Sequence, residues 1–287
     1  MQTPNLRLSF RQLLVIVLAQ LLALTIQAWL SRILVDRGYE QLQAHYLAYL
    51  AVPPILLVTL APILLENRHF LQRLFILPRP AVRLMLTAVA LGVTMRIAWW
   101  AQLITRVSFG MTQNDDSQPG GGLVLSIACP PLPALALGVL VMAVLIPLME
   151  ETLHRGLLQS AFARSGPWRA IMTSALIFTV FHPPSSYGFV FLMGIMLGVQ
   201  FWVTGSLWTT AITHSIYNGL VQFDWRCLRG HWNPPPESVP HVGAGSMALV
   251  ALTAAILIAI GLLRCQRAGA QDAPAATAIR TPPRRAQ

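Results

Sequence analysis

Three short polar blocks interrupt an otherwise apolar chain, and their residue types are those of hydrolytic chemistry. The first is Glu150-Glu151-Thr-Leu-His-Arg155, between VLIPLM and GLLQSAF. The second is Phe178-Thr-Val-Phe-His182, ahead of Pro183 and Pro184, and the third is His214-Ser-Ile-Tyr-Asn218. Neighbours on a helix diverge by about 100°, so Glu150 and Glu151 are expected to aim at different points. Glu151 and Arg155 are four apart and can pair, which leaves Glu150 as the acid free for chemistry. His214 and Asn218, also four apart, share a face and can address one small target. A buried carboxylate with an imidazole can hold and deprotonate a water, a contribution of about 10²–10⁴-fold in rate. An imidazole with a carboxamide can donate to the oxyanion formed on an attacked carbonyl. There is no GxSxG, and Ser215, beside His214, points about 100° away from it, so water is the expected nucleophile.

The elements that carry these blocks are read from composition. Of 287 residues, 55% are hydrophobic and 10% charged, against about 25% charged in ordinary globular chains. That excludes a typical soluble domain, a disordered chain and a disulfide-rich module. Spans of roughly 20 apolar residues are needed to cross a bilayer. They are read at Leu13–Leu34, Tyr46–Leu65, Ala81–Ile104, Ala134–Phe162, Trp168–His182, Tyr187–Val203, Leu207–Phe223 and Ser246–Leu263. The expected fold is therefore an all-α polytopic membrane helix bundle of about eight transmembrane helices. Residues 1–10 form an N-terminal arm, 11–122 the N-terminal helices, 123–225 a catalytic core, 226–265 a loop and last helix, and 266–287 a disordered tail.

All twenty basic residues are arginine, and the net charge is +10. No basic patch with interleaved aromatics accompanies that charge, so it does not point to nucleic acid. Arginines beside span ends set topology instead: Arg7, Arg11, Arg68, Arg73, Arg79, Arg83, Arg164, Arg169, Arg264 and Arg267 fall on one side. The positive-inside rule makes that side the cytoplasm, with both termini there; Arg226 and Arg229 run against it. The loop Val107–Gly122, with Asp115 and Asp116, is expected outside. Cys129, Cys227 and Cys265 share no metal or disulfide spacing.

Depth supports a single site. Glu150 precedes Gly166 by sixteen residues and His182 follows it by sixteen. Across a hairpin at Ser165-Gly166-Pro167, both lie roughly 24 Å up antiparallel helices at about 1.5 Å per residue. His214 and Asn218 lie roughly 14 and 20 Å above the turn at Thr204-Gly205-Ser206 by the same rise. Gly194 and Gly198 are expected to allow close helix packing, and Trp99, Trp100, Trp202 and Trp208 to mark interfaces. Arg96, deep in the third span, is expected either to pair with an acid or to snorkel.

The blocks EExxxR, FxxxH and HxxxN, in that order on membrane helices, resemble the CPBP family of intramembrane proteases, the CAAX protease and bacteriocin-processing (Abi-like) family. The resemblance runs over Ala134–Phe223. It implies that Glu150 and His182 activate water, that His214 and Asn218 form the oxyanion site, that Glu151 and Arg155 are a supporting ion pair, and that Phe178 shapes the pocket beside His182. His154 lies outside the family pattern and can modulate the charge of Glu150. The family has been described both as metalloproteases and as glutamate proteases. The expectation here is no cofactor; the alternative is a zinc held by Glu150, His182 and His214. The implied partners are a bilayer and a membrane-associated protein or peptide substrate, in a bacterial cytoplasmic membrane. Rival readings are a non-catalytic immunity factor, chaperone or scaffold of the same fold, and a transporter relaying protons through the same residues.

Overall fold

The computed structural model of the chain describes residues 6–76, 81–108, 132–222 and 244–271. Among these residues the chain is helical, without strands. In chain order the helices are α1 (Phe10–Asp36), α2 (Gln41–Tyr49), α3 (Val52–Glu66), α4 (Arg68–Ile76) and α5 (Val82–Ser108). There follow α6 (Leu132–Ser165), α7 (Pro167–Val180), α8 (Tyr187–Thr204), α9 (Leu207–Val221) and α10 (Ala244–Gln271). The expected outside loop with Asp115 and Asp116, the residues Arg226 and Arg229, Cys129 and Cys227, and the tail beyond Gln271 lie outside the described residues.

The apolar segments read from the sequence are helical, as expected for an all-α polytopic bundle. Among the described residues, six stretches are helices of at least 18 residues that are long and apolar enough to cross a bilayer: α1, α2 with α3, α5, α6, α8 and α10. The fifth and seventh segments are α7, with 14 residues, and α9, with 15. At about 1.5 Å per residue they reach roughly 21–23 Å, short of the roughly 30 Å hydrocarbon core. Their ends are set by local chemistry. Gly166 (φ 99°) and Gly205 (φ 64°) adopt a left-handed backbone that only glycine takes without strain. Pro183 and Pro184 stand just beyond the end of α7. The two glycine turns are those expected between these spans.

Three departures have physical causes. The second segment is broken into α2 and α3, with Pro53 and Pro54 in the first turn of α3, the position where a missing N–H costs least. The N-terminal arm is not wholly outside the bundle: Leu6 is buried and its N–H reaches Ser160 O at 3.4 Å. Ser9 then starts α1 with a capping box to Gln12. At the other end α10 runs through Gln271, six residues into the stretch expected to be disordered.

Two apolar clusters flank α6. One joins α1, α3 and α4 to α6 through Ile16, Leu60, Leu71, Leu153 and Leu157. The other joins α5, α7, α8 and α9 through Met95, Phe178, Leu197 and Tyr217. In lipid, helices approach where small residues let them. A Cβ on Gly92 of α5 would stand 2.6 Å from the backbone oxygen of Thr213 on α9. Gly92→Ala is therefore expected to destabilise the bundle by about 1–3 kcal/mol, read as a lowered unfolding midpoint in detergent.

Candidate active site

α6 is not a uniform α-helix. Val139–Leu145 and Thr152–Gln159 are wound as π-helix on either side of Ile146–Glu151. π segments are rare and concentrate at functional sites because they redirect side chains. Here Glu150 and Glu151 reach α9, while Arg155 and Gln159 reach α8. Arg155 is fully buried; one guanidinium nitrogen donates to Glu151 Oε1 at 3.0 Å and another to Gly194 O at 3.2 Å. Gln159 Nε2 donates to Gly198 O at 2.9 Å. The Gly194/Gly198 pair thus does more than permit the expected close packing, which it does against Ala175 and Ile171 of α7. It also exposes two carbonyls that accept from buried polar side chains of α6.

His214 lies between the two glutamates. Its Nδ1 is 2.9 Å from Glu151 Oε1 and its Nε2 is 3.7 Å from Glu150 Oε2. The expectation that the two carboxylates aim at different points is therefore corrected. The helical divergence is real, but two glutamate side chains are long enough to reach opposite nitrogens of one imidazole. Glu151 accepts from Arg155 as a carboxylate, so Nδ1 of His214 carries the proton in their bond. Glu151 and Arg155 are sealed from solvent, whereas the Glu150 side chain keeps 25% of its surface accessible.

His182 follows the end of α7, and its Nδ1 is 2.9 Å from the carbonyl of Phe178. A carbonyl only accepts, so Nδ1 holds the proton and the Nε2 lone pair is presented. The buried Phe178 ring joins the groups together. Its centroid is 4.6 Å from that of His182, 5.1 Å from His154 and 5.9 Å from His214, and Arg155 sits 4.7 Å over it. His182 and His214 thus lie against the same aromatic ring.

Asn218 is anchored by a consequence of the π-turn. Ile146 gives its N–H to Val141 and Pro147 has none to give, so the carbonyl of Met142 is left for a side chain. Asn218 Nδ2 donates to it at 2.9 Å. A carboxamide has two N–H groups, so this bond fixes the side chain while leaving a second donor. Of the four expected residues, His182 and His214 lie against Phe178, Glu150 lies against His214, and Asn218 is held one helical turn beyond His214 on α9.

Residues 132–220 match the family model described as Type II CAAX prenyl endopeptidase Rce1-like. That segment is an Rce1-like domain. It begins at the first residue of α6 and ends two residues past Asn218, so it contains every residue of the three blocks. No curated protein and no solved structure matches the chain. Together with its long apolar helices, the Rce1-like domain makes this an integral membrane protein.

Around the Rce1-like domain, several contacts had no counterpart in the sequence reading. Among the described residues, no three His, Cys, Asp or Glu side chains are grouped so as to hold a metal ion. Glu150, His182 and His214, the set named for zinc, are not among such groups as placed; the Nδ1 contacts of the two imidazoles still leave Nε2 on each. His154 is buried edge-on against Phe178, and its Nδ1 has no protein partner. Arg96, for which an acid partner or snorkelling was expected, sends Nε to Leu220 O at 3.3 Å and lies 4.6 Å over the Trp99 ring. It thus supports the C-terminal turn of α9, where a cation suits the helix dipole. Two residues missed by the motifs, Tyr46 and Gln222, bond across the same turn. The sequence signal for this corner was Pro147, a proline in the interior of a span.

Proposed function

We propose that the protein is an intramembrane endopeptidase hydrolysing a peptide bond of a membrane-associated protein or peptide with an activated water. Glu150 and His182 hold that water: the accessible carboxylate of Glu150 takes its proton while Nε2 of His182 accepts from it and orients it. The hydroxide adds to the scissile carbonyl carbon. The resulting oxyanion is met by the second N–H of Asn218 and by Nε2 of His214 in its protonated form. Collapse of the tetrahedral centre breaks the C–N bond, and the proton held by Glu150 passes to the leaving amine. Glu151 and Arg155 keep His214 turned toward the carbonyl. No step is routed through a metal.

One observation carries this reading. Both imidazoles have Nδ1 tied off, one to a backbone carbonyl and one to a carboxylate, so both keep Nε2, and that of His214 stands 3.7 Å from Glu150, the partly open acid of the cluster. A scaffold has no requirement for two imidazoles held in this way next to an unsealed carboxylate. The test is a comparison of protein termini in membranes from cells producing the wild-type chain or Glu150→Ala. New termini confined to the wild type support the protease. Identical termini, with both proteins inserted, would favour the non-catalytic reading, and flux of solute in proteoliposomes without cleavage would favour the transporter.

A quantitative arm uses a quenched fluorescent peptide ending in a prenylated CAAX sequence, the substrate class in the family's description, presented to the protein in nanodiscs. Asn218→Ala is expected to lower kcat by about 10²–10³-fold, the usual effect of deleting one oxyanion donor. KM should change little, because the missing bond forms only as charge develops on the oxygen.

A further inference from the structure

We infer that Tyr46, on α2 and outside the Rce1-like domain, is a positioning residue for Asn218; the inference rests on the oxyanion role proposed for that residue. Asn218 occupies the last turn of α9, which ends at Val221. Terminal turns lack part of their backbone hydrogen-bond ladder and fray unless something outside the helix holds them. Here the holding is done from two sides. Asn218 Nδ2 is bonded to Met142 O on α6. Gln222, one turn after Asn218, caps α9 with its N–H on Asn218 O at 3.2 Å and Gly219 O at 3.1 Å. Its side-chain Oε1 accepts from the Tyr46 hydroxyl.

Tyr46 also bears on α6. It is 3% exposed, and a Cβ on Gly138 would stand 2.7 Å from two of its ring carbons. Only glycine at 138 leaves room for the ring. Gly138 and Met142 are four apart and share a face, as are Asn218 and Gln222. The contacts close a loop: Tyr46 to Gln222, the last turn of α9 to Asn218, Asn218 to Met142, and one turn of α6 back to Gly138 against Tyr46. The domain supplies both helices of that loop but not the brace, which gives the N-terminal helices a catalytic purpose.

Tyr46→Phe removes the hydroxyl and keeps the ring. Amide hydrogen exchange of the full chain in nanodiscs is expected to rise by roughly tenfold at residues 220–222, with α8 unchanged, since a lost hydrogen bond of ordinary strength shifts an opening equilibrium by about that factor. On the prenylated CAAX peptide, kcat should fall about tenfold with KM unchanged. Gln222→Ala should reproduce both effects. In an Asn218→Ala background Tyr46→Phe should lower kcat no further, because its effect passes through the missing carboxamide. Unchanged exchange in Tyr46→Phe and Gln222→Ala would overturn the brace, as would effects of Tyr46→Phe and Asn218→Ala that simply multiply. Failure of the proposed function looks different: wild type and Asn218→Ala would then act alike on the peptide, while the exchange measurement still decides the brace.

Discussion

Glu150→Gln is expected to lower kcat on the prenylated CAAX peptide by about 10²–10⁴-fold while leaving the protein inserted and its unfolding midpoint within a degree or two of wild type. The substitution keeps the shape of the side chain and removes only its capacity to take a proton. Little stability is at stake, because Glu150 keeps 25% of its side chain accessible and its nearest recorded ionic contact is His214 Nε2 at 3.7 Å. His182→Ala should give a loss of similar size. The double variant should be scarcely worse than either single one, since groups that hold one water act as a unit and their effects do not add. Wild-type turnover in Glu150→Gln would remove the proposed base. A large loss of folded protein would instead make Glu150 part of the ion network, contrary to its accessibility.

The site was more legible in the sequence than the shape of the helix that carries it. Ionisable residues are so costly in lipid that Glu150, Glu151, Arg155, His182 and His214 mark the bundle interior wherever they occur. The i,i+4 rule found the Glu151–Arg155 pair, which stands at 3.0 Å. Spacing could not say that His214 would lie between both glutamates, because that depends on the rotation of α9 against α6. Nor does residue type reveal a π-turn: Val139–Leu145 is as apolar as any α-helical stretch, and the hint was Pro147 alone. The apolar segments of α7 and α9 were legible as helices, and their shortness follows from the positive-φ glycines that precede each and the prolines that follow α7. Tyr46 and Gln222, 176 positions apart, have no local pattern that could have joined them.

Arg155→Met is expected to produce the largest loss of stability of any single substitution at the site, about 3–5 kcal/mol, seen as a sharply lowered yield of folded protein and unfolding midpoint in detergent. The guanidinium is fully buried, bonded to Glu151 at 3.0 Å and Gly194 O at 3.2 Å and stacked on Phe178. Removing it leaves the Glu151 carboxylate sealed from solvent without its guanidinium partner. The companion variant separates two explanations for the pair. Glu151→Leu with Arg155→Met removes both charges, and buried ion pairs replaced by apolar residues of similar volume often lose nothing in stability. The double variant should therefore fold far better than Arg155→Met alone. It should not recover cleavage, because Nδ1 of His214 then has no carboxylate to hold it and Nε2 is no longer aimed at the reacting carbonyl. Folding without activity would mean that the ion pair is retained to orient an imidazole, at a cost the apolar pair avoids. Recovery of both would reduce Glu151 and Arg155 to packing, and the orientation of His214 would have to be credited to Phe178 and α9 alone.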